Sequence, residues 1–586
     1  MFNIPPAWLL ILGALLLPLF TGRSRNCFLL FVTALAFAWI VALEPGSYLR
    51  VQFFGFDLTL LRVDKLSKFF GYIFTLYGFA GCLYAFYLRD MRQHLAALLY
   101  IGSALGVIFS GDLVSLYFYW EIMAVASVIL VLAGGSEKSY AAGYRYVLVH
   151  IFGGLCLLLG IVLFIHNTGS VNFSAFSEYN LSTYLILLGI LINTAAVPLH
   201  AWLPDAYPEA TVTGSVVLSA FTTKTAVYTL IRGFPGWEIL VLVGCIMTIY
   251  GLVYALMEND IRRILAYFII NQVGFKVVGV GIGTAMALNG ASVHAFAHII
   301  YKGLMFMAAG SVIYMTGKKK CSDLGGLYKS MPWTTIFCCI GALSMSALPL
   351  TSGFTTKSMI VVGAEHEHMF WTWLVLQIAS AGAFLLASLK FPYFIFFGED
   401  KGFRPGESNW TMLTAMGLLA FLCILIGVYP DVLYGILPFD AHAYHPYTAS
   451  HLSTKLQLIM FSALAFFLLL PLLGKTRTIS LDTDWFYRKG FQVAYSGISK
   501  FFTGLNNISE KSMLGIVRWL AVFFKDASTR LVMYVMITLW LLSGERGTKL
   551  EMRKRNLYLD MHKGTVPVGV GATLATIFIV LVFMLN

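Results

Sequence analysis

The chain has 586 residues, of which 59% are hydrophobic and only 12% are charged, and its mean hydropathy is +0.79. A soluble fold cannot bury that much apolar surface, so the composition predicts an integral membrane protein and excludes an ordinary soluble enzyme. The net charge of +12 comes from basic residues between apolar runs rather than from one basic, aromatic face, so we expect no nucleic-acid partner.

Long uncharged runs predict an all-α polytopic membrane protein with about 14 to 16 transmembrane helices. The N-terminal run lacks a basic stretch before it and is followed by further spans, so we interpret it as a retained helix rather than a cleaved signal. The clearest runs are residues 7–21, 27–43, 69–88, 240–257, 412–429, 456–473 and 566–585.

The distribution of basic residues between the runs predicts the orientation of the chain. Loops 166–180 and 430–454 contain no lysine or arginine. By the positive-inside rule the basic loops face the cytoplasm, so we expect an inner-membrane protein with its N-terminus outside. The basic set is Arg23 with Arg25, Arg89 with Arg92, Lys138 with Arg145, Arg262 with Arg263, Lys318 to Lys320, Lys401 with Arg404, and Lys475 with Arg477, whereas Arg50, Arg62, Lys65 and Lys68 break the alternation.

A short repeat predicts an internal duplication. FTTKT at 221–225 recurs as FTTKS at 354–358, and each copy follows a Pro-containing break, VPLHAWLPDAYP or LPLTSG. One lysine in an interrupted apolar segment of each copy is typical of inverted repeats with broken helices. The predicted divisions are 1–111 for N-terminal spans, 112–259 and 260–400 for two inverted units of about five helices each, 401–480 for C-terminal core helices, and 481–586 for amphipathic or lateral helices and a terminal anchor.

Ionisable residues inside the predicted spans are the strongest functional signal in the sequence. Each costs about 2.5 to 3.5 kcal/mol to insert into a membrane, so a series of them indicates an ion path. We predict a proton relay with three secondary members. The relay residues are Glu121, Lys224, Lys276, His294, His298, Lys302 and Lys390, and the secondary members are His150, Lys357 and Glu399.

His294, His298 and Lys302 follow one another at intervals of four residues. On a helix they lie on one side at about 6 Å per step, a distance that one or two waters bridge for proton transfer. Histidine suits such a relay because its pKa lies near neutral pH. The alternative is a helix whose histidines only satisfy neighbouring backbone groups.

The other buried charges lie on different predicted helices. Glu121 and Lys224 have opposite charge, so a pair between them would offset part of the cost of burial and could act as an electrostatic gate. The alternative is a static ion pair. Lys276 has no evident partner in the sequence, and Lys357 is close enough to the end of a span to be an anchor instead.

Lys390 precedes Pro392 by two residues, and the proline removes the hydrogen bond to the carbonyl of Ser388. This predicts an ammonium near the electron-rich end of a half-helix, a favourable place for a cation that loads and unloads. The rival interpretation is that Lys390 snorkels toward the interface marked by Glu399 and Asp400.

The sequence predicts no metal, cofactor or catalytic site. The eight cysteines show no CxxC spacing, and all but Cys321 lie in or beside apolar runs. The EHEH run at 365–368 alternates faces on a helix, so we favour a loop or an access mouth over a metal centre. No phosphate loop, dinucleotide fingerprint or nucleophile elbow is present in the sequence, so we expect the driving chemistry in a partner.

At these residues the chain resembles the antiporter-like subunits of respiratory complex I, membrane-bound hydrogenases and Mrp-type sodium/proton antiporters, most closely the D-like chains of the Mrp type. The resemblance covers residues 70–400. It is carried by FYWEIMAVAS, PLHAWLPDAYPEA, TKTAVYTLIRG, ENDIRRILAYFIINQVGF, HAFAHIIYKGLMFMAAGSVIY and LKFPYFIFFGED, which together are very specific.

The resemblance implies a core of about 14 helices with inverted repeats. It also implies that Glu121 and Lys224 form a modulating pair. The residues that it assigns to a hydrated central proton axis are His294, His298, Lys302 and Lys390.

The resemblance further implies that the chain works only inside a multisubunit assembly. The expected partners are other membrane subunits, the lipid bilayer, and protons with either Na+ or K+, and no cofactor is expected. Two positions depart from the family pattern. Arg262 replaces the lysine usual before LAY, and Lys276 is an uncommon buried charge.

Three functions are compatible with the sequence. The first is the proton-translocating subunit of a cation/proton antiporter or redox-driven pump, including a translocase subunit of an NADH:quinone oxidoreductase-like or hydrogenase-like complex. The second is the proton-conducting subunit of an inorganic-carbon (CO2 hydration) pump whose soluble partner would hold the zinc. The third is a membrane scaffold with relic charges, against which intact Glu121 and Lys224 argue.

Overall fold

The computed structural model describes residues 4–439, 444–471, 482, 483, 485, 489–563, 572, 575–580 and 583. The chain is 77% helical, which confirms the predicted helical class. It divides into two compact units, Met1–Asp484 and Trp485–Asn586.

The first unit contains the predicted membrane core. Its first ten helices are α1 (Pro6–Leu16), α2 (Gly22–Ala42), α3 (Lys65–Tyr84), α4 (Met91–Phe109), α5 (Leu113–Leu132), α6 (Glu137–Thr168), α7 (Leu181–Asn193), α8 (Trp202–Ala206), α9 (Val212–Leu218) and α10 (Thr222–Gly233). They are followed by α11 (Ile239–Met257), α12 (Ile261–Ile282), α13 (Ala285–Thr316), α14 (Pro332–Met345), α15 (Ser352–His366) and α16 (Phe370–Ala383). Two π-helical segments, Phe384–Lys390 and Tyr393–Phe397, then precede α17 (Trp410–Val428), α18 (Asp431–Tyr434) and α19 (Ala449–Leu469).

The second unit consists of α20 (Phe491–Lys525), α21 (Ala527–Leu542) and α22 (Thr548–His562). Helix α20 has 35 residues and a strongly amphipathic pattern, so it is about 52 Å long. A long amphipathic helix agrees with the expected character of this region. Most of the predicted anchor at 566–585 lies outside the described residues.

Eleven helices of the described part are long and apolar enough to cross a membrane. Three shorter apolar helical segments accompany them, Pro6–Leu19, Leu181–Asn193 and Pro332–Met345. These helices agree with a multi-pass membrane protein. The exact count of 14 to 16 spans and the inverted repeat stay predictions.

A β-hairpin was not predicted from the sequence. Strands β1 (Gly46–Phe53) and β2 (Phe56–Val63) pair antiparallel, with Phe53 opposite Phe56. The two loop residues, Phe54 and Gly55, both have positive φ, +48° and +82°, as tight hairpin turns require. The hairpin contains Arg50 and Arg62, two of the residues that broke the predicted alternation of basic loops.

Helices α6 and α13 are alike in length and in the way they end. Each has 32 residues and ends at a Thr-Gly pair whose glycine, Gly169 or Gly317, has a left-handed conformation. Such a glycine satisfies carbonyls at the end of a helix without a steric penalty. Each repeat copy also contains a helix break, between α9 and α10 and between α14 and α15.

Helices α11 and α12 pack with their backbones in direct contact. A β-carbon on Gly251 would lie 2.5 Å from the backbone nitrogen of Asn271 and 2.6 Å from the carbonyl oxygen of Tyr267. Gly244 and Gly274 face each other in the same way. Small residues at helix crossings permit this close approach in membranes, and here they fix the position of α12 at the centre of the unit.

Replacing Gly251 by valine is expected to separate α11 from α12 and to destabilise the first unit by about 1 to 3 kcal/mol, as overpacking does. The melting temperature of the purified protein should therefore fall. Gly406→Val is the control, since Gly406 is exposed and no atom lies within 4 Å of its added β-carbon. Equal melting temperatures for the two variants would contradict the tight crossing.

Candidate functional site

Two enclosed helices carry most of the predicted relay. All residues of the most apolar window of α12, and 94% of those in the window of α13, are buried inside the protein. Lys276 lies on α12, and His294, His298 and Lys302 lie on α13, each with no exposed surface. Because both helices are surrounded by protein, these side chains face other helices rather than lipid.

Lys276 and His298 are in direct contact. The Lys276 Nζ lies 2.8 Å from the His298 Nδ1 and donates a second hydrogen bond, 3.0 Å long, to the carbonyl oxygen of Gln272. No partner for Lys276 was evident from the sequence, and the structure supplies one from the facing helix. An amine and an imidazole at this distance can exchange a proton without an intervening group.

The two histidines of α13 form the ladder that their spacing predicts. Their ring centroids are 6.0 Å apart and the ring planes differ by 19°. Both ring nitrogens of His294, and Nε2 of His298, are buried and make no hydrogen bond to any described residue. The alternative interpretation is that the histidines only satisfy neighbouring backbone groups. These three nitrogens do not bond to any backbone group among the described residues.

Lys302 continues the same side of α13. Its Nζ lies 3.6 Å from the Met345 sulfur and 5.1 Å from the centre of the Phe268 ring. These are weak contacts for a cation. Within the described part of the chain no carboxylate forms an ion pair with Lys302, so nothing holds it permanently charged. The charges of Lys224 and Lys302 both act on Lys276.

Lys224 and Lys357 occupy similar positions at the two helix breaks. Lys224 is fully buried, and its Nζ donates to the carbonyl oxygen of Ser219, just beyond the end of α9. Lys357 Nζ lies 3.4 Å from the carbonyl oxygen of Met345, the last residue of α14. Carbonyls at the end of a helix carry partial negative charge. Each lysine is therefore stabilised by a helix end rather than by an acid.

Glu121 and Lys224 are not brought into direct contact. The half-buried Glu121 side chain packs on α6 at Gly154, where any larger residue would collide with its Oε1. Among the described residues no ion pair joins Glu121 to Lys224, and Glu121 Oε1 accepts no hydrogen bond. The expected direct pair is absent because the lysine reaches the carbonyl of Ser219 instead.

His150 lies one turn before Gly154 on α6. Its ring stacks on Tyr146 at 3.9 Å and meets the edge of Trp202 at 4.7 Å. Nδ1 lies 3.1 Å from the carbonyl oxygen of Tyr146, whereas the buried Nε2 makes no hydrogen bond to the described residues. His150 is thus on the same helix surface that Glu121 contacts.

Lys390 ends a π-helical segment and contacts the end of α11. Its Nζ donates to the carbonyl oxygens of Leu256 and, at 3.3 Å, of Glu258. Lys390 therefore lies at the electron-rich end of α11 and not, as predicted, at the end of its own half-helix. The Glu399 carboxylate lies at the surface and pairs with Lys401 at 2.6 Å. Snorkelling of Lys390 toward the interface marked by Glu399 and Asp400 stays a prediction.

A polar cluster around Asp482 was missed in the sequence. Its carboxylate accepts hydrogen bonds from Tyr250 and Tyr267, each 2.5 Å long, and lies 3.1 Å from His200 Nε2. Arg263 lies beside Tyr267 and pairs with Glu258 at 3.2 Å. The sequence offered one signal for this cluster, which is His200 within the VPLHAWLP break. Asp482 follows His200 by 282 residues, so no local pattern connected the two residues.

Residues 110–382 match the family model described as "NADH:quinone oxidoreductase/Mrp antiporter, TM". The putative antiporter subunit mnhD2 of Staphylococcus epidermidis (strain RP62A) is 30% identical over 400 residues, 64% of this chain and 78% of that protein. Hydrogenase-4 component B of Escherichia coli (strain K12) is 29% identical over 436 residues, which are 66% of this chain and 65% of that protein.

The solved structure of the Mrp complex from Dietzia sp. DQ12-45-1b contains a chain with the same fold. It superposes with a TM-score of 0.65 at 21% identity and covers 78% of this chain and 99% of that one. The resemblance inferred from the sequence motifs is confirmed by these relatives.

Proposed function

This chain belongs to the NADH:quinone oxidoreductase/Mrp antiporter transmembrane family, and from that premise we propose that it translocates protons through its buried Lys and His residues. It is an antiporter-like membrane subunit of the type found in Mrp, hydrogenase and complex I assemblies. The observation that carries the proposal is the contact between Lys276 and His298, which joins the two enclosed helices.

The relay has a continuous central part. Lys276 exchanges a proton with His298, and the His298 ring lies 6.0 Å from that of His294. Their buried nitrogens without a protein partner need water to satisfy their hydrogen-bonding capacity. Water between these groups would complete a path for proton hopping along α13.

Two loops at opposite ends of the first unit differ in their content of lysine and arginine, which supports an orientation across the membrane. Near Lys390, the backbone of Ile261 bonds to the carbonyl oxygen of Lys319 at 2.9 Å, so the basic loop 318–320 lies at that end. Asn289 bonds to the carbonyl oxygen of Phe439 in the loop without basic residues, near the start of α13. Arg62 and Lys65 are exceptions, because they line a cleft with Phe439 at the end whose loop has none. We assign the first end to the cytoplasm, and with it an inner-membrane location and an external N-terminus.

Glu121 keeps a modulating role in this proposal, although it acts on Lys224 without a direct ion pair.

The driving energy must come from a partner, because moving one charge against 100 mV costs about 2.3 kcal/mol. Protons are the transported ion because the path consists of titrating groups rather than the oxygen ligands that hold Na+. The carbon-pump alternative stays a prediction, and no contact among the described residues favours it.

The proposal is tested by proton transport in proteoliposomes that contain the parent complex. Lys276→Met removes the titrating group, whereas Lys276→Arg keeps a charge that does not titrate. Both variants should slow transport about tenfold. A positioned proton-transfer group can contribute roughly 100-fold, and the expected loss is smaller because water replaces part of the role of Lys276.

Lys329→Met is the matched control, because Lys329 is half exposed and pairs at the surface with Asp400. Its transport should equal that of the native complex. Native transport by an assembled complex with Lys276→Met would show that protons do not pass through Lys276, and the proposal would then be wrong.

A further inference from the structure

Lys455 is a buried lysine that the predicted relay did not include. It lies on α19, a helix with only 17% of its span window buried, yet Lys455 is just 3% exposed. Its Nζ donates to the side-chain oxygen of Gln377 at 3.2 Å. In the part of the chain that the structure describes, no carboxylate pairs with it. A buried cation without an acid is costly enough to need a reason.

Lys455 lies near enough to Lys357 for the two charges to interact, and Lys357 lies likewise near His294. Helices α13 and α15 pack antiparallel, since added β-carbons on Gly290 and Gly363 would contact Ile360 and Ala287 respectively. His294 follows Gly290 by one turn, and Lys357 precedes Ile360 by about one turn. His294 on α13 and Lys357 on α15 are therefore at the same height along the two packed helices.

His451 lies on α19 between Lys455 and the surface. It precedes Lys455 by four residues, so the two side chains share one face of α19 about 6 Å apart along the axis. The His451 ring stacks on Phe354 at 4.7 Å, one turn before Lys357. Its Nδ1 lies 2.8 Å from the carbonyl oxygen of Pro446, so Nδ1 carries the hydrogen of the neutral ring and Nε2 is left to bind a proton.

The surface near His451 contains an acid. Glu365 is exposed, interacts electrostatically with His451, and lines an open cleft of about 340 Å³ together with His368 and Trp373. This cleft contains part of the EHEH run that the sequence favoured as an access mouth. His451 and this cleft lie at the same end of the first unit. That end contains the loop 430–454, which has no lysine or arginine.

We propose that Lys357, Lys455 and His451 form the outer segment of the proton path and connect His294 to the cleft at Glu365. The inference rests on the proposed function, because an outlet has meaning only if the central residues conduct protons. A proton passes from Lys357 to Lys455 and on to His451, each group accepting it on a free nitrogen lone pair and then releasing it.

The test compares Lys455 variants in proteoliposomes of the assembled parent complex. If Lys455 carries protons, Lys455→Met and Lys455→Arg should both slow transport about tenfold, because neither side chain releases a proton, and Lys455→His should restore much of the rate. If Lys455 only anchors α19, arginine should replace it without loss. Ser462→Ala is the control, since Ser462 is a buried polar residue of α19 whose hydroxyl donates to the carbonyl oxygen of Leu458 in the same helix.

Lys224→Ala, measured in parallel, separates the two proposals. Slow transport with Lys224→Ala but native transport with Lys455→Arg would overturn the outlet and leave the central relay intact. Failure of Lys455→His to restore transport would also overturn it, since the role would then be structural. Native transport with Lys224→Ala would overturn the proposed function itself.

Discussion

Replacing Lys224 by alanine is expected to lower proton transport by the assembled complex about 100-fold, to the level of bilayer leak. Lys224 is fully buried at the break between α9 and α10, and its Nζ bonds to the Ser219 carbonyl rather than to an acid. No static ion pair is therefore lost in the variant. The measurement is the initial rate of proton transport together with the partner reaction in the same vesicles.

Thr229→Ala is the matched control for Lys224. Thr229 lies on the same helix, is equally buried, and its hydroxyl donates to the carbonyl oxygen of Thr225 within α10. Its loss should leave transport close to native. If Lys224→Ala conducts as well as Thr229→Ala in assembled complexes, the chain is a scaffold rather than a pump module.

The ladder on α13 could be predicted because helical geometry alone determines it. Residues four apart share one side of any α-helix, so His294, His298 and Lys302 are aligned whatever surrounds them. The helical class follows in the same way from long apolar runs. The sequence also located the break between α14 and α15, because LPLTSG at 348–353 covers its end. The Pro-containing segment at 197–208 lies before α9, so it did not mark the break between α9 and α10.

Contacts between distant helices could not be predicted in the same way. Whether Glu121 meets Lys224 depends on how α5, α6 and α10 are rotated about their axes, which apolar patterns do not specify. The breaks expose free carbonyls, and these compete with carboxylates for a lysine. Lys455 was not singled out in the sequence, because it stands just before the apolar run 456–473.

The hairpin shows a different limit of sequence reasoning. Its strands alternate weakly between polar and apolar residues, and Arg50 and Arg62 made the segment look like a basic loop. The turn residues Phe54 and Gly55 provided only a partial signal, since glycine occupies one of two positions with positive φ. The weak strand pattern of this short hairpin is therefore overlooked beside the much stronger helical patterns.

Asp482 shows how a contact outside the predicted relay can stabilise the first unit. Burial alone would raise the pKa of this carboxyl group, but the hydrogen bonds from His200, Tyr250 and Tyr267 outweigh burial and hold its pKa below the usual range. Arg263 lies beside Tyr267 and pairs with Glu258. Folding therefore favours the ionised carboxylate, which joins the segment after α19 to α11, α12 and the break that contains His200.

Replacing Asp482 by alanine is expected to destabilise the first unit by about 3 kcal/mol, because His200 and two tyrosine hydroxyls lose a buried charged partner. The pKa of Asp482 is lowered in the folded state, so its stabilising contribution is complete above the unfolded value of about 3.9 and is lost as the pH falls below it. The difference in melting temperature between native protein and Asp482→Ala should narrow as the pH falls below about 4.

Asp431→Ala is the control, since Asp431 is exposed in the short helix α18. Its melting temperature should follow that of the native protein at every pH. A difference for Asp482→Ala that widened further below about pH 4 would mean that the neutral carboxyl, not the carboxylate, stabilises the cluster. Proton transport by Asp482→Ala at a temperature where it stays folded should be near native, because the carboxylate supports the helices around Lys390 without joining the proton path.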